Sequence, residues 1–416
     1  MRRNTIFSNH SLLPIVLLGI INRFIDPDFV FYHLNCWRSF SYTVTFSGWN
    51  IYTMDVYLYP PLWAYMLSVV FTPFSGLEDV LLPFGLMFMS LVHLLLIFLS
   101  DVLVTFLIYK RTESKKDILL PLALLFVSFM PYVGIHYGMF ESIGVFLSLC
   151  GILLILKEHF FLGGFMFAIS ALTKQWTLLA TGLIFLYLLR WKRTEGLKYL
   201  LGTLVLPLVC LPFYLNDPQN FLDKAVFYKS TIAHDGYGLW GTLWFIYTST
   251  DIPIYNRVYE LVRGYQPHLF VLVGLVLLLT IVTMKKEVTE EGLVHICFLS
   301  TLIPVIFSSQ VLRYYLLVPM IYGVYLYGLR RDRWLLAYLA YVGLFPNLGY
   351  LPLNDLPFSV FKGVILTVER AVHTSLALVC FGKGICHEIN EYFRMAGDTK
   401  ILEVGIISKE KPRTGF

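Results

Sequence analysis

The sequence predicts an all-α, polytopic membrane protein with about twelve transmembrane helices. Three observations lead there. Of the 416 residues 57% are hydrophobic and 17% aromatic, but only 14% are charged, where a soluble domain carries roughly a quarter. Mean hydropathy is +0.69. The apolar residues form runs suited to crossing about 30 Å of hydrocarbon at about 1.5 Å per residue, with Lys and Arg gathered in the short connections between them.

In chain order the runs lie near 11–25, 83–109, 118–133, 138–156, 160–174, 175–190, 197–214, 269–284, 293–307, 312–329, 333–351 and 359–381. The first follows MRRNTIFSNH, a basic start like that of a secretory signal. No small-x-small cleavage site comes after it, so it is read as a membrane anchor.

Basic connections occur at Lys110–Lys116 (KRTESKK), Arg190–Lys198 (RWKRTEGLK), Lys285–Lys286 and Arg330–Arg333 (RRDR), with Arg2 and Arg3 at the N-terminus. Placing all of them in the cytoplasm obeys the positive-inside bias and puts both termini inside. The formal charge of +5 then reflects topology and not nucleic-acid binding. The opposite connections 134–137, 308–311 and 352–358 contain no Lys or Arg.

Two long loops, 26–82 and 215–268, fall on the outer or luminal side. Apolar and aromatic residues at 29, 30, 32, 34, 37 and 40 have helical spacing, which predicts an amphipathic helix lying on the membrane surface. Pro60–Phe74 (PPLWAYMLSVVFTPF) is apolar too, yet a full crossing there would turn KRTESKK outward. It is read as a re-entrant or surface-lying helix opened by its prolines. Residues 1–382 thus make one transmembrane domain, and the polar stretch 383–416 makes a cytosolic tail. Six cysteines, at 36, 150, 210, 297, 380 and 386, show neither CxxC metal spacing nor a disulfide framework.

Ionisable residues at membrane depth are costly, so each one asks for a partner or a task. Asp26 and Asp28 flank Pro27 just after the first run. Asp26 suits the cap of a helix starting at Pro27, and Asp28 either a first-turn acid or a group facing substrate. In GWNIYTMDVYLYPPL, Asp55, Tyr57 and Tyr59 border a polar cleft or belong to an interfacial aromatic belt. Asp101 and Glu141 stand within runs and pair with another helix or face a cavity. Lys174 sits where two short runs meet on the outer side. A buried ammonium needs a counter-charge, either a carboxylate or an anionic ligand, and the reading taken is a ligand phosphate. Arg313 suits a phosphate or a snorkelling role. In FYKSTIAHDGYGLWGTLWFIY, His234 and Asp235 are candidates for proton or phosphate contacts, while Trp240 and Trp244 pack at the interface or against a sugar face.

Taken in order, these elements resemble the GT-C superfamily of multi-span glycosyltransferases. The closest branch holds the glycosylphosphatidylinositol mannosyltransferase I catalytic subunit, dolichyl-phosphate-glucose enzymes and prokaryotic polyprenyl-phosphate-mannose enzymes. The resemblance rests on Asp26-Pro27-Asp28 with Tyr32, Tyr59-Pro60-Pro61-Leu62, Asp101, Tyr137-Gly138-Met139-Phe140-Glu141, Lys174, Leu239-Trp240-Gly241 and Arg313-Tyr314-Tyr315 with Pro319. It covers roughly residues 11–320. Met139 and Glu141 depart from the family's usual Gly-Gln-Phe-Asp.

The resemblance implies transfer of a hexose, mannose being the commonest, from a polyprenyl (dolichyl) phosphate to a hydroxyl of a lipid-linked or glycan acceptor. Asp28 would be the base, with Asp26 second; Lys174, Arg313 and His234 would hold the donor phosphate. Asp55, Tyr59, Glu141, Asp235 and Trp240 would line the substrate cavity. A divalent cation, Mg²⁺ or Mn²⁺, on the Asp-Pro-Asp pair is an open alternative. The membrane would be a prokaryotic cell membrane or that of the endoplasmic reticulum. The competing classes are a transporter or flippase and a non-catalytic subunit of a membrane complex.

Overall fold

A computed structural model describes residues 39–45, 48–53, 57, 59–71, 78–112, 117–127, 140–226, 272–278, 287–307, 313–344 and 368–390, with a few isolated positions besides. Among these residues helix dominates and no strand occurs. After α1 (39–45) and a 3₁₀ turn at Gly48–Thr53 come α2 (Pro61–Phe71), α3 (Glu78–Arg111) and α4 (Leu119–Val127). A central group follows: α5 (Glu141–Leu156), α6 (Phe160–Thr173), a 3₁₀ turn at Gln175–Thr177, α7 (Leu178–Trp191), α8 (Arg193–Thr203) and α9 (Val205–Asn216). The short α10 (Pro218–Phe221) runs into a π-helical turn, Leu222–Val226. Then come α11 (272–278), α12 (Glu290–Phe307), a 3₁₀ turn at Arg313–Leu316, α13 (Leu317–Arg330), α14 (Arg333–Leu344) and α15 (368–390).

Two described segments are long and apolar enough to cross a membrane, α8 with α9 (Arg193–Asn216, 24 residues) and α12 (18 residues). α3, at 34 residues, reaches about 51 Å at 1.5 Å per residue. α2 has 11 residues, about 16 Å, too short to cross. It starts at Pro61, whose missing N–H costs nothing in a first turn.

Polarity is arranged inside out. On α3, Leu95, Leu99, Leu103 and Phe106 form one stripe and are 45–53% exposed, while Ser100, Asp101 and Thr105 are buried. On α9, Leu208, Leu211 and Leu215 are 67%, 48% and 69% exposed. Exposed apolar stripes of this kind mark a surface that another apolar phase or a partner covers.

The central group is drawn together by glycine. A Cβ on Gly164 of α6 would lie 2.1 Å from the Tyr199 carbonyl oxygen of α8, and one on Gly202 of α8 would lie 2.0 Å from that of Phe161. Gly163, the next residue of α6, faces α5 instead, where a Cβ would stand 3.2 Å from the Gly151 carbonyl oxygen. Such close backbone approach is how helices associate without water to drive them. The reversal from α5 into α6 passes through Glu158 with φ 64°.

The basic ends meet on one face. Arg111 donates from Nε to Glu290 Oε1 at 2.8 Å, and Tyr325 donates to the same carboxylate. Arg330 reaches Glu291 at 2.5 Å and Glu388 at 2.6 Å, and Arg331 reaches Asp117 at 3.2 Å. His295 faces Glu388 through Nδ1 at 2.9 Å. The ends of α3, α12, α13 and α15 that the basic connections assign to the cytoplasm are therefore neighbours.

Three predicted boundaries shift. α8 begins at Arg193 and α12 at Glu290, each taking in charged residues assigned to connections. α15 continues to residue 390, into the stretch read as a tail. Its buried face runs on through Ala377, Cys380, Phe381, Ile385 and Glu388, and the Glu388 ion pairs hold the last turn.

Candidate functional site

α5 and α6, of 16 and 14 residues, rise about 24 Å and 21 Å from their shared reversal at 157–159. Both are shorter than the about 30 Å of a bilayer core. Glu141 and Lys174 lie at their far ends, away from that reversal.

Glu141 opens α5, where its charge suits the helix N-terminus. Lys174 has extended backbone, φ −148° and ψ 130°, and separates α6 from the following 3₁₀ turn. Its ammonium lies 2.9 Å from Glu141 Oε1, with the two side chains 2% and 1% exposed. Three rings close around the same nitrogen: Tyr59 at 4.3 Å, Phe140 at 4.7 Å and Tyr315 at 4.9 Å. Ring faces attract a cation more strongly when water is excluded. Phe140 stacks on Trp63 of α2 with centroids 3.4 Å apart, and Trp176 lies 4.9 Å from Tyr315. Ser170 Oγ donates to the Gly144 carbonyl at 2.6 Å and meets Thr177 Oγ1 at 2.9 Å, which fixes the break itself.

From this box a line of aromatic contacts runs outward. Tyr59 meets Tyr57 at 5.7 Å, Tyr57 meets Tyr52 at 5.5 Å, and Tyr57 also meets Phe40 of α1 at 5.1 Å. Tyr52 Oη donates to the Tyr59 carbonyl at 2.8 Å, and Tyr57 Oη to that of Pro60 at 2.8 Å. The Tyr52 ring also meets Phe213 of α9 at 5.7 Å and Phe221 of α10 at 5.2 Å. Lys224, in the π turn, donates from Nζ to the Tyr52 carbonyl at 2.8 Å. The turn is set by Asp217, which caps α10 by accepting from Asn220 N at 3.2 Å, with Pro218 as the first helical residue.

Beside the break is an apolar cleft of about 300 Å³, lined by Pro60, Pro61, Leu172, Gln175, Leu206 and Cys210 among others. Gln175 brings a polar end to it, adjacent in sequence to Lys174.

These positions revise the sequence-based expectations. In the structure Lys174 meets the Glu141 carboxylate, the first of the two counter-charges the sequence offers it. The ammonium is 2% exposed and ringed by three aromatics. Glu141 is likewise buried in the pair. Tyr57 and Tyr59 are buried ring to ring, and Tyr59 walls the ion pair. Arg313 starts the 3₁₀ turn that carries Tyr315 into the box. Asp26, Asp28, Asp55, His234, Asp235 and Trp240 lie outside the described residues.

Tyr52 and Lys224 were missed. The aromatic density of GWNIYTMDVYLYPPLW was the available signal, but it reads equally as an interfacial belt. Among the described residues no group of three His, Cys, Asp or Glu side chains is placed to hold a metal ion. No protein-family model matches the chain, and no curated protein matches it either.

Proposed function

We propose that this protein is a multi-pass membrane glycosyltransferase that moves a hexose, with mannose favoured, from a polyprenyl phosphate to an acceptor hydroxyl on the outer or luminal face. The single observation that carries the membrane half is the inverted polarity: leucine stripes outside, with Asp101, Glu141 and Lys174 inside. About twelve spans follow from the runs and their basic connections. The transferase half is supported by the order of sequence elements from Asp26-Pro27-Asp28 to Arg313-Tyr314-Tyr315. The apolar cleft beside Gln175 is compatible with a lipid-borne donor.

In this reading Asp28 takes the proton of the acceptor hydroxyl as its oxygen attacks the anomeric carbon. The bond from that carbon to the phosphate oxygen breaks with inversion, and polyprenyl phosphate leaves with the electron pair. Arg313 and His234 stabilise the departing phosphate. Lys174 is left out of that set because Glu141 already meets its charge. A lipid tail would lie along the cleft beside Gln175.

Purified protein in lipid vesicles, given labelled polyprenyl-phosphate mannose or glucose and a panel of lipid and glycan acceptors, tests this directly. Asp28→Asn is expected to insert normally and lose transfer by about 10²–10⁴-fold, the usual scale for a general base; an unchanged rate sinks the assignment. Loss of activity in EDTA, restored by Mg²⁺ or Mn²⁺, would add a divalent cation at Asp26 and Asp28.

A second reading, a carrier for a lipid-linked or small solute, is favoured by one observation. A buried acid-base pair at a break between short helices is also how transporters build a midplane site. Vesicle uptake of a lipid-linked sugar without transfer would decide for it.

A further inference from the structure

We infer that Glu141, Lys174 and Tyr52 are positioning residues that register the two outer loops against each other. The ion pair roots a continuous line of contacts through Tyr59 to Tyr52, and Tyr52 is gripped from the far side by Phe213, Phe221 and Lys224. The first four of these residues belong to helix ends and the first outer loop; the last three lie where the second outer loop begins.

Every link is short-range and buried. Tyr52 is 1% exposed and Tyr57 0%, so neither loop can shift at this point without moving the other or opening a void. The pair is suited to the root because it is held from two directions: Glu141 by the start of α5, and Lys174 by the Ser170 and Thr177 contacts at the break. Breaking the pair frees Tyr59 first, and through it the carbonyl that Tyr52 holds. The catalytic consequence rests on the transferase reading, since both loops would then carry reacting groups. The mechanical consequence does not.

Two measurements on the full chain in lipid nanodiscs test this. In the first, hydrogen–deuterium exchange is compared between wild type, Lys224→Met and Tyr52→Phe, both mild substitutions. Lys224→Met, made on the second loop, is expected to speed exchange across 48–60 of the first while leaving 333–344 unchanged. A change confined to 217–226 overturns the inference.

In the second, transfer kinetics are compared for Lys174→Met, Glu141→Gln and the double variant. Each single change is expected to lower kcat by about 10–100-fold, the effect of a misplaced site, with donor KM nearly unchanged. The double variant is expected to recover most of that loss, because two neutral isosteres leave no orphaned charge. A raised donor KM at Lys174→Met that the double variant does not relieve would make Lys174 a phosphate ligand and overturn the positioning role. If no donor is turned over at all, the transferase reading fails, and the exchange experiment alone decides the coupling.

Discussion

The two ends of the molecule solve the same problem, placing charge near apolar helices, in opposite ways. At one end a single pair, Glu141–Lys174, is buried and ringed by Tyr59, Phe140 and Tyr315. At the other the charges are shared: Arg330 serves Glu291 and Glu388, Glu290 serves Arg111 and Tyr325, and several members reach solvent. A sealed pair has no substitute when one partner is lost, so it defines a position. A wet belt offers water and neighbours as replacements, so it joins helices with more tolerance.

Three experiments would sharpen or break that contrast. The largest effect is expected at Lys174→Met, which strands a buried carboxylate and should destabilise the protein by about 3–5 kcal/mol in denaturant unfolding. A cost under about 1 kcal/mol, the scale of exposed pairs, would mean that water reaches the box and that the two ends are alike.

The intermediate effect concerns Glu388. Burial alone would push its carboxyl up, but His295 and Arg330 outweigh that and hold it down at about 2, below the usual 4.5. A depressed folded value means that its contribution is present above about pH 4.5 and is lost as pH falls towards 2. Protease access to the chain beyond residue 388 should therefore rise as pH drops below about 4.5. Glu388→Gln should remove that pH dependence; if it persists, the last turn of α15 is held by something else.

The smallest effect is expected at Arg111→Ala. The Arg111 side chain is 42% exposed, and its loss should cost no more than about 1 kcal/mol in the same unfolding measurement. A larger cost would show that the shared-charge belt acts as one unit.

The all-helical class was legible in the sequence because apolar runs and loop charge are one-dimensional patterns. Charge parity kept Pro60–Phe74 from being read as a crossing, and its helix α2 has only 11 residues; loop charge grouped the ends that Arg111, Glu290, Arg330 and Asp117 bring together. Helix ends were less legible: α12 and α15 extend into charged stretches where Glu290, Glu291 and Glu388 find partners far away in the chain, which no local pattern contains. The site divides the same way. Lys174's need for a counter-charge follows from composition alone, but which of the two remedies it takes depends on the fold placing Glu141 beside it. Tyr52 was illegible, since one tyrosine among many in an aromatic segment becomes a hub only when Phe213, Phe221 and Lys224 arrive from a distant stretch.

Gly163 and Gly164 are consecutive, about 100° apart around the axis of α6, and each lets a different neighbour's backbone in. A helix pressed on one side can still roll; one pressed at two angles cannot, because turning either way drives a carbonyl oxygen into a Cα. α6 is consequently locked in azimuth as well as in place. The bearing on which it ends, and from which Lys174 departs towards Glu141, is set by two missing methyl groups nearly a whole helix below.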